Sequence, residues 1–181
     1  MHASICDQLH DVVQNAWEAG ASEVVVQWEE SNGWHEITVK DNGCGMDKQT
    51  LAEVLDPFYT DGSKHRHRRV GLGLAFLQQM VKETDGQLSI HSQEGVGTTV
   101  CFRLDEAHVD MPPLGDVVQS LVGLMGFSGD YEVRLERSIG KKSYSVRRSE
   151  LQEALGDLTS ATSLGLMRDY IASQEEALQK G

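Results

Sequence analysis

The hydrophobic positions of this chain follow a helical spacing first and then two strand-like spacings. Apolar side chains recur every three or four residues over 4–19, which predicts an amphipathic helix that ends at Gly20. The segments 23–30 and 34–40 are rich in β-branched and aromatic residues, so they predict two strands. The Ser31-Asn32-Gly33 turn between them is typical of a β-hairpin.

The rest of the chain continues this alternation of helices and strand pairs. A break containing Pro112-Pro113 predicts a boundary, with one domain over 1–106 and a small hairpin-helix region over 107–181. The helix that starts at Glu150 is expected to have a capping box formed by Ser149 and Gln152. Further helices are predicted at 47–55, 71–84, 115–125 and 163–179, further strands at 87–91, 98–104, 131–137 and 143–148, and a loop at 56–70.

Composition narrows the classes of partner. The chain has 181 residues and a net charge of -12, which argues against a general binder of nucleic acid or of acidic membranes. Its three cysteines are widely separated and no apolar run approaches the ~20 residues of a membrane span. We therefore expect a cytoplasmic protein without a disulfide framework.

A basic run interrupts this acidity. The segment from Lys64 to Arg69 holds four of the 16 Lys and Arg residues, which indicates either a solvated loop or a loop that closes over an anionic ligand. His65 and His67 within it could alternatively contribute to a metal site, although no Cys or carboxylate cluster lies beside them to complete the ligand set.

Two polar residues lie on one face of the first predicted helix. Asp11 and Asn15 are four residues apart, so their side chains project toward the same region. Polar pairs at this spacing are most often a solvated face. Their oxygen atoms could instead hold a hard cation, or one residue could position a water while the other binds the metal.

The second predicted strand runs into Asp41-Asn42-Gly43-Cys44-Gly45-Met46. A carboxylate at a strand end can accept a hydrogen bond from an exocyclic amine such as that of adenine, and glycines allow close approach of a flat ligand. An ordinary tight turn is the alternative. The later Gly71-Leu72-Gly73-Leu74 segment opens a predicted helix, whose N-terminal N–H groups favour phosphate; a simple glycine turn is again the alternative.

Together these segments resemble the GHKL superfamily, the histidine-kinase-like ATPases. The run from Asp11 to Ala21 is similar to the N box, Asp41 to Met46 to the G1 box, and Gly71 to Leu74 to the G2 box. Asp56-Pro57-Phe58-Tyr59-Thr60 is similar to the F box of histidine kinases, and Gly97-Thr98-Thr99 to the last glycine-threonine element. The resemblance covers approximately residues 4–104.

The resemblance implies an α+β fold, a two-layer α/β sandwich that holds ATP and Mg²⁺, with a small C-terminal α+β appendage. It assigns Mg²⁺ to Asn15 and the adenine amine to Asp41. The remaining expected ligand contacts divide between the base, the phosphates and the lid. They are Gly43 and Gly45 for the base, Thr98 or Thr99 for the adenine side, Gly71 and Gly73 for the phosphates and the hinge of the lid, and the segment from Lys64 to Arg69 for the cationic part of the lid. Met46, Leu72 and Leu74 are also expected to contact the nucleotide.

Two departures from the family pattern affect the expected activity. Members that hydrolyse ATP usually have Glu where this chain has Asp11, which is one methylene shorter, and Asp11 is the expected catalytic residue here. The second departure is an expectation that no helical hairpin with a phosphoacceptor His accompanies the N box. The first hypothesis is an ATP-dependent kinase or ATPase that acts on a partner protein. The partner would be a phosphoacceptor or a regulator, and a homodimer is left open. The second is a nucleotide-gated interaction module with little turnover, and a mismatch-repair or gyrase fragment is a third, weaker reading.

Overall fold

The computed structural model describes residues 3–56 and 73–180. Within these ranges the chain forms helices and strands in an order that follows the sequence pattern closely. The helices are α1 (Ile5–Glu18), α2 (Lys48–Leu55), α3 (Gly73–Glu83), α4 (Val117–Gly126), α5 (Arg148–Leu155) and α6 (Ala161–Gln179). The strands are β1 (Glu23–Ser31), β2 (Trp34–Asp41), β3 (Gln87–Gln93), β4 (Gly97–Asp105), β5 (Glu132–Ile139) and β6 (Lys142–Arg147).

The strands pair into one mixed sheet in the order β3-β4-β2-β1-β5-β6. All neighbours are antiparallel except β1 and β5, which run parallel and place Val24 beside Val133. The parallel pair requires a crossover, and α4 lies in the connection between β4 and β5. The α+β fold class, with a mixed sheet covered by helices, is therefore confirmed.

One face of the sheet carries the hydrophobic core. Alternate residues of β1 are buried, and Trp28 and Phe102 are among the largest fully buried side chains. The helix α1 turns its apolar stripe onto this core and packs against α3 and α4, while α4 also packs against α6. This arrangement fixes α1 over the sheet, which positions its polar edge beside the ends of β2 and β4.

The residues beyond 106 contribute strands to the same sheet. β5 pairs with β1 along eight residue positions, from Glu23↔Glu132 to Glu30↔Ile139, and β6 adds an edge strand. Arg148 strengthens this junction because its side chain is buried and donates to the main-chain oxygens of Met125, Phe127 and Tyr131. The division into domains at residue 106 stays a prediction.

One predicted helix cap is wrong. The sequence pattern placed the start of α5 at Glu150 with Ser149 and Gln152 as its capping box, but α5 begins at Arg148. The Glu150 carboxylate accepts from the main-chain N–H of Arg147 at 3.2 Å, so Glu150 is the third residue of the helix. Ser149 instead donates its main-chain N–H to Glu132 Oε1 at 3.1 Å, which ties the helix start to β5.

Helix lengths also address membrane crossing. None of the helices in residues 3–56 and 73–180 combines the length and apolarity needed to cross a bilayer.

Candidate nucleotide-binding site

A cavity of about 330 Å³ opens beside the polar edge of α1. Asn15 comes from α1, Asp41 from the end of β2 and Thr98 from the start of β4, so three separate segments meet there. The apolar part of the lining is large enough to contact a flat aromatic ring. It consists of Val12, Ala16, Ala19, Met46, Val54, Leu74 and Val100.

Asp41 is the half-buried carboxyl group of this cavity. Its Oδ1 accepts the main-chain N–H of Gly43 at 2.8 Å and that of Thr98 at 3.3 Å. Burial raises the pKa of Asp41, and these two hydrogen bonds lower it by a smaller amount. Both bonds fall on Oδ1, so within the described part of the chain Oδ2 is left to accept a hydrogen bond from a ligand.

Two glycines hold the loop after β2 against the β3–β4 turn. Gly45 has φ of 64°, and a Cβ there would lie 2.0 Å from Gln93 O. Gly97 has φ of 136°, and a Cβ there would lie 2.1 Å from Asp41 O. These two glycines are therefore required by contacts between protein backbones, in addition to any approach of a ligand.

Main-chain and side-chain hydrogen bonds keep the loop in place. Cys44 donates its N–H to Ala19 O at 2.9 Å, and Gly95 donates to Cys44 O at 2.7 Å. The Asn42 side chain accepts from the main-chain N–H groups of Ser22 and Glu23 at 2.9 and 3.0 Å. The loop is thus attached to the C-terminal end of α1 and to the start of β1, so the cavity wall is preorganised.

Ser92 is a functional neighbour that the sequence pattern did not indicate. Its hydroxyl accepts the main-chain N–H of Met46 at 2.8 Å and shares a 2.8 Å hydrogen bond with the Thr98 hydroxyl. Ser92 thereby joins the loop after β2 to Thr98, which lines the cavity. Thr50 and Val54 of α2 also line the cavity, and the short apolar pattern of that helix gave no signal for this role.

The other end of the cavity brings α1 to the start of α3. A Cβ at Gly73 would lie 3.4 Å from Asp11 Cβ and 3.6 Å from Asn15 Nδ2, which is ordinary van der Waals contact, so the start of α3 lies close against the polar edge of α1. Asn15 Nδ2 is buried and has no hydrogen-bond partner among the described residues. Partial burial raises the pKa of Asp11, with a further increase from Asp7 and an opposing effect of His10.

The structure brings together six of the nine predicted ligand residues that it describes. The cavity is lined by Asn15, Asp41, Gly45, Met46, Leu74 and Thr98. Gly43 donates its main-chain N–H to Asp41. Thr99 is directed to the opposite face of the sheet and lines a different groove. Lys64, Gly71, Leu72, both histidines of the basic run and most of the F-box segment lie outside the described residues.

Comparison with protein families identifies this arrangement. The family model described as histidine kinase-, DNA gyrase B-, and HSP90-like ATPase matches residues 5–108, which is more than half of the chain. The chain belongs to this family. It is an ATP-binding module of the GHKL type, and the predicted family resemblance is confirmed.

Individual relatives agree with this assignment. A putative sensor protein of Shewanella frigidimarina is 35% identical over 100 residues, covering 51% of this chain and 15% of that protein. The sensor histidine kinase RcsC of Salmonella typhimurium is 28% identical over 130 residues, covering 67% and 13%. The chain thus spans a small part of the length of these relatives.

A solved structure supports the fold beyond the family segment. The N-terminal domain of a DNA repair protein superposes with a TM-score of 0.56 and 14% identity, covering 89% of this chain and 58% of that chain. At this identity the likeness concerns the fold alone. Its coverage extends past residue 108, so the comparison includes part of the C-terminal region.

Proposed function

We propose that this chain binds ATP together with Mg²⁺ and acts as an ATP-dependent kinase or ATPase module on a partner protein. The observation that carries the proposal is the placement of Asn15, Asp41 and Thr98 around one cavity. An adenine acceptor and a candidate metal ligand lie at different parts of the same cavity, as a bound nucleotide requires.

The adenine part of the proposal depends on Asp41. Its free Oδ2 would accept from the exocyclic amine, while Thr98 and the apolar wall would contact the ring. An ionised carboxylate is an acceptor only, so it favours a base with an amine at this position over one with a carbonyl.

The metal part depends on Asn15. Its amide Nδ2 is buried without a hydrogen-bond partner among the described residues, and rotation of the amide can direct its oxygen into the cavity instead. An amide oxygen fits Mg²⁺, which is usually bound by one or two protein groups together with substrate phosphates. When bound, Mg²⁺ would neutralise charge on the phosphate oxygens. The N-terminal end of α3, beginning at Gly73, adds favourable main-chain dipoles for the phosphates.

The kinase part rests on the relatives. Similar proteins include the sensor histidine kinase RcsC of Salmonella typhimurium and the signal transduction histidine-protein kinase AtoS of Escherichia coli. In phosphoryl transfer the protein mainly positions groups and stabilises charge, so a partner protein could supply the nucleophile. We propose such a partner, as phosphoacceptor or regulator, and a cytoplasmic location for the reaction.

One observation favours a nucleotide-gated interaction module with little turnover. Asp11, the candidate for positioning water, is outside the set of described residues that line the cavity, although it lies beside Gly73. Its side chain is also one methylene shorter than Glu. Catalytic geometry is sensitive to displacements of about 1 Å, so binding without rapid hydrolysis is the second candidate.

Calorimetry and phosphate release distinguish these candidates. We expect Asn15→Ala to weaken Mg-ATP binding by at least tenfold, while Asp11→Ala keeps most of the affinity. Gln14→Ala, on the exposed side of the same helix, is the matched control. Unchanged affinity in Asn15→Ala would disprove the metal assignment. Tight ATP binding by the wild type, without phosphate release or labelling of any protein, would favour the gated module.

A further inference from the structure

Ser92 lies behind the nucleotide cavity, on the strand next to Thr98. It is half-buried on β3, and the strand register places it directly opposite Thr98 of β4. Side chains of directly opposite residues lie on the same face of a sheet, so Ser92 and Thr98 share one face. Thr98 lines the cavity, whereas Ser92 is not among the described residues that line it. Any effect of Ser92 on a bound nucleotide therefore passes through its neighbours.

The Ser92 hydroxyl contacts three polar groups around the base of the cavity. It accepts the main-chain N–H of Met46 at 2.8 Å, and it shares a 2.8 Å hydrogen bond with Thr98 Oγ1. Its third contact is with the main-chain oxygen of Gly97, at 3.4 Å. Met46 also lines the cavity, so one hydroxyl group joins two cavity residues that come from different segments of the chain.

A serine hydroxyl has one proton to donate, which leaves two arrangements of the Ser92–Thr98 pair. In the first, Ser92 donates to Thr98 Oγ1, and the Thr98 proton is left for a ligand. In the second, Thr98 donates to Ser92, and Ser92 donates to Gly97 O over 3.4 Å, which is long for a hydroxyl donor. A ligand atom that accepts from Thr98 adds a hydrogen bond to the first arrangement alone. Such a ligand therefore selects the first arrangement.

Thr98 also lies beside the carboxyl group of Asp41. The main-chain N–H of Thr98 donates to Asp41 Oδ1 at 3.3 Å, and both residues line the cavity. With Asp41 Oδ2 as an acceptor and the Thr98 hydroxyl as a donor, the cavity presents an acceptor next to a donor. The base edge that complements this pair has an amine next to an unprotonated ring nitrogen, as adenine has at N6 and N1.

We propose that Ser92 is a positioning residue for the base, which holds the Thr98 hydroxyl as a hydrogen-bond donor to the ring nitrogen beside the adenine amine. Donation by Ser92 occupies a lone pair of Thr98 Oγ1 and fixes the position of this oxygen. Hydrogen bonds in a chain polarise one another, so donation by Ser92 also strengthens donation by Thr98. The inference rests on the proposed ATP binding and specifies how the base is recognised.

A purely structural role for Ser92 makes a different prediction. The hydrogen bond from Met46 N–H holds the loop after β2, and its loss would weaken every nucleotide to the same extent. Donation by Thr98 affects only a nucleotide that has an acceptor at the ring position beside the amine. The analogue 1-deaza-ATP has a C–H group in place of N1 and keeps the amine. The ratio of the affinities for ATP and 1-deaza-ATP therefore separates the two roles.

The test is calorimetry on the full chain with Mg²⁺ and each of the two nucleotides. We expect the wild type to bind ATP about fivefold more tightly than 1-deaza-ATP, as one hydrogen bond allows. In Ser92→Ala this ratio should fall to about twofold or less, whereas Ser92→Thr keeps a hydroxyl and should keep the wild-type ratio. Ser89→Ala is the matched control, because Ser89 is an exposed serine of the same strand on the other face of the sheet.

A double variant checks that Ser92 acts through Thr98. Thr98→Val should reduce the ratio to about one, and Ser92→Ala/Thr98→Val should show the same ratio as Thr98→Val alone. If Ser92→Ala weakens both nucleotides equally, or if the wild type binds both with the same affinity, the inference is overturned and the proposed function stands. Loss of the ratio in Ser92→Thr or in Ser89→Ala would also overturn the inference. Absence of ATP binding by the wild type would instead overturn the proposed function, and the inference with it.

Discussion

The main-chain N–H of Thr98 donates a hydrogen bond to Oδ1 of Asp41 at 3.3 Å. This bond joins the start of β4 to the end of β2, and Gly43 donates to the same oxygen from the following loop. Asp41 therefore has a structural oxygen and a free oxygen. The two functions can be separated by a substitution that keeps the first and changes the second.

Asp41→Asn is expected to reduce ATP affinity by about 10- to 100-fold while the fold is retained. The amide oxygen can still accept from Gly43 and Thr98, but its NH₂ group would face the adenine amine, so two donors would oppose each other. Inosine triphosphate, which has a carbonyl at that position, should lose much less affinity. Calorimetry with both nucleotides checks this, with Asp110→Asn as an exposed control. An equal loss for both nucleotides would contradict the assignment of Oδ2.

The pH dependence of ATP binding should follow Asp41. Burial raises the pKa of this carboxyl, so it protonates at a higher pH than an exposed aspartate. Only the ionised form accepts at both oxygens, from Gly43 and Thr98 at Oδ1 and from the adenine amine at Oδ2. ATP affinity should therefore begin to fall early as the solution is acidified. The raised pKa also means that ionisation of Asp41 lowers the stability of the folded protein. This loss is fully present above the pKa of Asp41 in the folded state and is absent below its pKa in the unfolded state.

The effect of Asp41 ionisation on stability can be checked by denaturing the ligand-free protein at several pH values. The stability of wild type relative to Asp41→Asn should increase as pH falls through the acidic range, because wild type then loses the cost of a half-buried charge. As the pH falls, protonation of Asp41 should therefore lower the ATP affinity of the wild type and raise its stability. A pH profile of ATP affinity that is the same in Asp41→Asn as in wild type would count against this explanation.

The glycines of the β3–β4 turn should differ sharply in their tolerance of alanine. Gly97→Ala would place its Cβ 2.1 Å from Asp41 O, so backbone must move, and we expect a loss of about 3 kcal/mol or more in the free energy of unfolding. Gly95 also has a positive φ of 77°, but no atom lies within 4 Å of the added Cβ. Gly95→Ala should cost only about 1–2 kcal/mol. Urea denaturation of both variants measures the difference, and similar costs would contradict the proposed backbone contact.

Some of these features could be predicted from the sequence and others could not. The helix over α1 was predictable because its apolar stripe is regular and Ser4 caps it, with Ser4 Oγ accepting from Asp7 N at 3.1 Å. Thr98 and Thr99 were both candidate ligands, and only strand alternation decides which one faces the cavity. The parallel pairing of Val24 with Val133 joins residues more than 100 positions apart. No local pattern reports such a contact, so the continuity of the sheet into the C-terminal region was not foreseen.

The buried Arg137 should be important for attaching α6 to the sheet. It is 2% exposed, pairs with Glu30 and with Glu175 of α6 at 3.3 Å, and lies over the Trp28 ring at 4.7 Å. Arg137→Met would leave two carboxylates without their cation, so we expect a loss of about 3–5 kcal/mol in the free energy of unfolding. The control Arg103→Met removes an exposed pair with Glu36 and should cost about 1 kcal/mol or less. Comparable losses in urea denaturation would refute this role for Arg137.

Lengthening the side chain at position 11 tests whether the length of Asp11 limits ATP hydrolysis. Asp11 lies beside Gly73, at the proposed phosphate end of the site, but it is not among the described residues that line the cavity. Asp11→Glu extends the carboxylate by one methylene, so we expect phosphate release at saturating Mg-ATP to rise by about tenfold or more, with ATP affinity nearly unchanged. Gln14→Glu adds a carboxylate on the exposed side of the same helix and should have no such effect. If Asp11→Glu releases phosphate no faster than wild type, the length of this side chain is not what limits hydrolysis.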